Sequence, residues 1–367
     1  MILNLARPIY PSDETLAALS EHLGVQSWRL DETFQPRRVS RSLREPLPCL
    51  TPELKISGRQ WLFQAPAGAR VSLQSGLLRL GQRCLYESNR TNQDSQLRHW
   101  RRAGSLPPGW WHRNRAPERH QQPLLLLSTH NNPNYFHWLT QPGLSPLFLQ
   151  EHFGLHPLPR AALALSQRPR RALPSYVQPL LGVVAPELPV VQGVALASES
   201  LCRFAVQEHS SEVVVSPAQV HWLHRRCRDQ LHPPLKPWRR VLISRQRSSR
   251  RRCLNEDQLL SALDPYGFER HCLEDLSVIE QLRLFSESAL LVGAHGAGFS
   301  NLVACVPQAS IVEFLPRRGA FCHYYAMADV LGLSHGHLVA SSCDLETDDF
   351  TVTPEDVLAI LREMELL

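Results

Sequence analysis

The chain has 367 residues, 43% of them hydrophobic, which suffices for two domains with packed cores and excludes a disordered protein. Its net charge is +5, and of its 39 basic residues only Lys55 and Lys236 are lysines, so the positive charge is arginine, whose planar fork suits phosphates and carboxylates. The nine cysteines show no CxxC pair and no zinc spacing, and no apolar run approaches the ~20 residues of a membrane helix, which argues against a disulfide scaffold, a structural zinc site and a spanning segment.

The N-terminus, MILNLARPIYPSDETL, has neither a sustained apolar core nor a small-residue cleavage site, so a soluble cytoplasmic protein with free thiols is expected. Residues 1–117 are rich in proline, arginine and turn signals, with short β-like runs such as RVSLQSGLLRL, and read as an irregular, strand-rich segment. From PLLLLST the pattern changes. A buried leucine run passes through the loop HNNPNYFHW into a helix; AALAL and LPVVQGVAL read as further buried strands and SPAQVHWLHRRCRDQL as a helix, giving a Rossmann-like domain over 118–235.

The prolines of LHPPLKPW mark a linker, and residues 236–367 then alternate clearly. Strand RRVLIS leads to a helix opened by Asn255, with Gln258 at the capping-box position; GFERHC is a more exposed strand; Ser277 and Glu280 open a second helix. Strand ALLV, a glycine loop, helix FSNLVAC, strand SIVEFL, a helix ending at Gly332 and strand HLVA follow, and Thr353 with Pro354 starts the closing helix. Repeated βα units of this length predict two doubly wound sheets, whose ligands sit beyond the carboxyl ends of the strands.

Four groups of residues could carry chemistry. In VGAHGAGFSN, Gly293, Gly296 and Gly298 stand where a buried strand turns into a helix; they would permit positive φ and let a phosphate approach the backbone, or else merely pack the helix close to its sheet. The spacing matches neither GxGxxG nor a P-loop. Arg245 directly follows a buried strand, with Arg250, Arg251 and Arg252 in the same loop, so several cations could surround one anion; the alternative is a solvated or nucleic-acid-binding face over 239–252. Glu313, near the end of its strand, reads as a partner for a ribose hydroxyl pair or as a strand-end salt bridge. His137 in NPNYFHW follows a buried strand, and is either a base that could deprotonate a hydroxyl or an aromatic-packed histidine. HExxH, DxD and EF-hand patterns are absent from the sequence, so no metal is expected.

Together NYFHW, SRxxxxRRxxxNE, DLSVIEQLRLFSESALLVGAHGAGFSNLVA, and IVEF followed by YYAMADVLGL resemble glycosyltransferase family 61 over residues ~118–340. The resemblance implies a GT-B fold of two Rossmann-like domains facing a cleft, an inverting mechanism, no cofactor beyond a nucleotide-sugar co-substrate of the UDP-sugar kind, and a saccharide or lipid-linked saccharide acceptor. It implies donor contacts from Arg245, Arg250, Arg251, Gly293, His295, Gly296, Ala297, Gly298, Asn301 and Glu313, acceptor-side contacts from Asn134, Tyr135 and Trp138, and a base at His137. The bacterial members of this kind build capsular or surface polysaccharides, which puts the expected site of action in the cytoplasm, at the inner face of the plasma membrane. Two other readings stay open: a scaffold that binds nucleotide sugar without catalysis, and a nucleic-acid-binding protein using the arginine run.

Overall fold

The computed structural model describes residues 24–43, 47–72, 77–80, 83–86, 118–127, 134–140, 143–155, 162–165, 174–191, 195–209, 215–317 and 322–367; the N-terminal stretch 1–23 and the asparagine loop 131–133 read from the sequence lie outside them. The chain divides into two compact units, one of residues 1–32, 57–174 and 185–214, the other of residues 33–56, 175–184 and 215–367.

The first unit departs from the doubly wound expectation. Its larger sheet runs β1 (Gln26–Phe34), β2 (Ile56–Ala65), β11 (Cys202–His209), β7 (Leu124–Leu127), β8 (Ala162–Leu165), β9 (Val190–Val191). The leucine run is fully buried in β7, and β7, β8 and β9 are parallel as their continuous apolar text predicts. β11, however, pairs antiparallel with β2 on its other edge, so the sheet is mixed. The segment LPVVQGVAL is also not one strand: β9 stays in this sheet, while β10 (Ala195–Ser198) pairs with β3 (Arg70–Ser72) and β6 (Glu118–His120) in a second sheet that includes β4 (Leu77–Leu80) and β5 (Arg83–Tyr86). Two short helices, α1 (Tyr135–Thr140) and α2 (Ser145–His152), follow β7.

The second unit meets the expectation. Five strands, β12 (Arg239–Ser244), β13 (Phe268–Cys272), β14 (Ser288–Ala294), β15 (Ser310–Leu315) and β16 (Ser334–Val339), are all parallel in the order β13-β12-β14-β15-β16. This order reverses direction between β12 and β14, the switch point of a flavodoxin-like sheet. One face carries Leu242, Val292, Ala294, Val312, Phe314 and Leu338 against Leu259 and Leu263 of α5 (Glu256–Leu263) and Val357, Ile360 and Leu361 of α8 (Pro354–Glu363). On the other lie α6 (Val278–Glu287), a 3₁₀ segment (Ala297–Ala304) and α7 (His323–Leu331).

The helix read as part of the preceding domain, α4 (Pro217–Leu231), belongs to this second unit together with α3 (Val177–Val184). It packs on the 3₁₀ segment and α7, and His224 Nδ1–H donates to the Val303 carbonyl at 2.9 Å. The prolines of 231–238 therefore end a helix without ending a unit. Ser277 and Glu280 form the predicted capping box, and Thr353 caps α8 with Pro354 at the first position. Asn255 stands at the N-cap of α5 but makes no cap bond, because its Oδ1 instead accepts from the Val352 N–H at 3.4 Å while its amide donates to the Val352 carbonyl at 2.8 Å. Among the described residues no helix is long and apolar enough to cross a membrane.

Candidate functional site

The carboxyl ends of β12 and β14 lie side by side at the switch point, the place where an open α/β sheet leaves a ligand crevice. β12 ends at Ser244, whose hydroxyl donates to Glu256 Oε2 at 2.5 Å, while the Arg245 N–H donates to Glu256 Oε1 at 2.9 Å. A buried glutamate in the first turn of α5 thus fixes the backbone from which Arg245 departs.

The Arg245 guanidinium curls under its own loop, Nε donating to the Arg251 carbonyl at 3.3 Å and Nη2 to the Arg250 carbonyl at 3.0 Å. The loop bends at Arg251, with φ +57, and is clamped from outside, Arg251 N–H donating to the Thr347 carbonyl. Arg250 pairs with Asp348 at 2.7 Å, Arg252 with Asp349 at 2.6 Å, and Arg247 with Asp275. These aspartates pair the outward arginines of the loop, and Arg250, expected among the donor contacts, is exposed at the surface. Arg245 and Arg251 stay close enough to the glycine loop for their charge to disfavour protonation of His295.

Of the three glycines expected to take positive φ, Gly293 does so, at +159. Gly296 has φ −174, extended backbone open to any residue, and Gly298 is absent from the positive-φ glycines. A Cβ at Gly296 would lie 1.8 Å from Arg245 Nη1 and 2.6 Å from its Cζ. A Cβ at Gly293 would meet the Ile243 carbonyl oxygen at 2.7 Å, and one at Gly298 the Leu273 Cδ1 at 2.4 Å. Close approach, by neighbouring strand, arginine and leucine in turn, is what requires these glycines. Past Gly296 the chain enters the 3₁₀ segment, not an α-helix, with no side chain capping its start and with Ala297 and Gly298 half-exposed. Asn301 is buried and its amide donates to Gln281 Oε1 at 3.0 Å, so it braces the loop from behind.

His295 is buried, its ring 5.0 Å from that of Tyr324, and its Nδ1 is bonded to Glu313 Oε1. Glu313 is wholly buried, and its other oxygen bonds His335 Nε2 at 3.3 Å. Both oxygens of this carboxylate, expected to meet a ribose, are engaged by histidines within the fold. Ser40 Oγ lies 2.7 Å from the Nδ1 of both His335 and His337. Burial lowers the basicity of His295 despite Glu313, and the two arginines push the same way. Burial pushes the Glu313 carboxyl upward, but its histidines outweigh this and hold it well below the usual carboxylate range.

In the first unit, Asn134 Oδ1 accepts from the Phe136 N–H at 2.9 Å and so starts α1. Trp138, expected on the acceptor side, is buried in the core and packs over Gly143, where a Cβ would meet the Trp138 carbonyl at 2.2 Å. His137 and Tyr135 on the same helix are half-buried, His137 edge-on to Phe136 with ring centroids 5.4 Å apart. Among the described residues no group of three metal-ligating side chains is placed to hold a metal.

Sequence reading missed Glu256, Tyr324, Ser40, His335 and His337. The two histidines were legible: in SHGHLV they alternate and so share a sheet face, once the strand is begun at Ser334 and not at His337. Ser40, some 270 residues away in the chain from Ser310 at the start of β15, left no such signal.

Residues 135–312 match the family described as Glycosyltransferase 61. Over 84 residues the chain is 37% identical to the EGF domain-specific O-linked N-acetylglucosamine transferase of Drosophila melanogaster, a stretch amounting to 22% of this chain and only 16% of that relative. Ser40, Glu313, His335 and His337 all fall outside the matched residues.

Proposed function

From the match of residues 135–312 to glycosyltransferase family 61, we propose that this chain moves a sugar, with inversion, from a nucleotide-sugar donor to a hydroxyl of a saccharide acceptor, holding the donor diphosphate at the β12/β14 crevice. The observation that carries this reading is the guanidinium of Arg245 lying against Gly296 at the switch point, where bare backbone and a fixed cation share one edge of the sheet. A diphosphate leaving group gains charge as the glycosidic bond breaks, and a preorganised guanidinium with Arg251 and the N–H groups opening the 3₁₀ segment stabilises that charge without a metal. Glu256 serves by fixing the strand end, and Gly293, Ala297 and Gly298 by keeping the backbone open.

His137, half-buried at the start of the first unit's helical segment, is proposed as the base that deprotonates the acceptor, with Asn134 and Tyr135 beside it. A GT-B arrangement of the two units, an acceptor belonging to a surface or lipid-linked polysaccharide and action at the inner face of the plasma membrane complete the proposal. The test is calorimetric titration of the full chain with UDP, GDP and ADP. Removing the charge-assisted contact in Arg245→Ala is expected to weaken the bound nucleotide roughly tenfold to a hundredfold. Equal affinity in parent and variant would rule out Arg245 as a diphosphate ligand.

A further inference from the structure

We infer that Ser40 and His335 are positioning residues for His295: with Glu313 they form one buried hydrogen-bond chain that decides which nitrogen of His295 carries its proton. The bearing on catalysis rests on the donor site proposed above; the chain itself rests on geometry.

Ser40 arrives from outside the sheet. The carboxylate of Asp329 accepts the N–H groups of Arg37 and Arg38, Tyr325 donates its hydroxyl to the Arg38 carbonyl at 2.6 Å, and Arg41 joins the edge of β16, its N–H donating to the His335 carbonyl and its carbonyl accepting from His337 N–H, both at 2.9 Å. This strap sets a hydroxyl with 0% exposure between two imidazoles of 6% and 0% exposure, where water does not compensate a wrong proton.

Donor parity then fixes the pattern. Glu313, ionised, only accepts, so His295 donates through Nδ1 and His335 through Nε2. In the neutral form of His335, Nδ1 then accepts, and the single hydroxyl proton of Ser40 goes there. Ser40 Oγ in turn accepts from His337 Nδ1–H, which leaves His337 Nε2 as the chain's terminal lone pair, buried and without a partner among the described residues. The charged and titratable groups packed around the chain include Tyr324 and Tyr325 from α7, the latter edge-on to His335, Arg245 and Arg251 from the loop after β12, and Cys49 and Cys322, whose thiols sense the charge of Glu313. Losing the Ser40 proton frees His335 to change tautomer, which takes a donor from Glu313 and loosens its hold on His295.

The experiment is imidazole ¹H–¹⁵N NMR on histidine-labelled full chain, alongside UDP titrations across pH. One strongly downfield imidazole proton is expected, assigned by its loss in His295→Asn and in Glu313→Gln. Ser40→Ala should shift or broaden it and weaken UDP roughly threefold to tenfold with a displaced pH midpoint, Ser40→Thr should restore both, and Ser40→Ala should add nothing in a His335→Phe background. An unchanged resonance in Ser40→Ala, or additive effects of the two changes, would overturn the inference. Should Ser40→Ala fail to fold, His335→Phe alone reads the same resonance, and its persistence there would be equally fatal. If the parent binds no nucleotide, the donor-site proposal fails, while the resonance still decides whether the chain exists.

Discussion

Gly296→Ala asks what the glycine loop is for. The φ of −174 admits alanine without strain, so the whole effect of the substitution must come from the space its methyl enters, and that space holds the Arg245 guanidinium, 1.8 Å from the new carbon. Arginine is flexible enough to move away, but moving forfeits its bonds to the Arg250 and Arg251 carbonyls at 3.0 and 3.3 Å. The outer clamps of the loop, Arg250–Asp348 and Arg252–Asp349, stay in place. The guanidinium regains water, so the net loss should be about 1–2 kcal/mol of stability, with nucleotide affinity falling as far as in Arg245→Ala. A double-mutant cycle decides the cause: in an Arg245→Ala background nothing occupies the space, and Gly296→Ala should then be nearly neutral to urea denaturation. Equal destabilisation in both backgrounds would refute the reasoning and assign Gly296 a role independent of the arginine.

Acid stability should expose the buried histidines: His337 titrates at about 4 instead of 6.5 because of burial and then His335, so the unfolded chain binds a proton that the fold excludes, and roughly 3 kcal/mol should be lost as pH falls from 6.5 to 4. His337→Asn, which keeps an N–H for Ser40, should flatten that limb in denaturation curves at pH 7, 5 and 4, and an unaltered slope would contradict the assignment. Glu313, held low, should add a separate decline below its ordinary range, since its stabilisation exists only while it is ionised. Turnover, once a donor and acceptor pair is in hand, should survive EDTA; abolition by chelation with recovery on magnesium or manganese would show a metal to be needed. His137→Ala should lower the single-turnover rate by about 10²–10⁴ with UDP affinity unmoved, and transfer at the parent rate would place the base elsewhere.

The second unit was legible because its physics is local. Each strand is a short apolar run, each helix carries its own start signal, and Arg245 is placed at a sheet edge by nothing more than following RRVLIS. The first unit was less so: β2 and β11 face each other across roughly 140 residues, and neither periodicity nor turn chemistry encodes such a pairing. The same divide runs through the site. Proximity of Arg245 to the glycine loop followed from parallel topology, but the direction in which Glu313 points did not, because a carboxylate at a strand end has the same spacing whether it meets a ribose or a histidine. What turns it inward is the chemistry on the adjacent strand, two histidines one alternation apart, together with a serine from a strap outside the family match that bonds them both. A glutamate with both oxygens engaged by histidines from within offers a ligand only its remaining lone pairs. In the proposed donor site, recognition at this edge is assigned to Arg245, Arg251 and the open backbone, and the buried histidine chain is proposed to set the protonation against which they act.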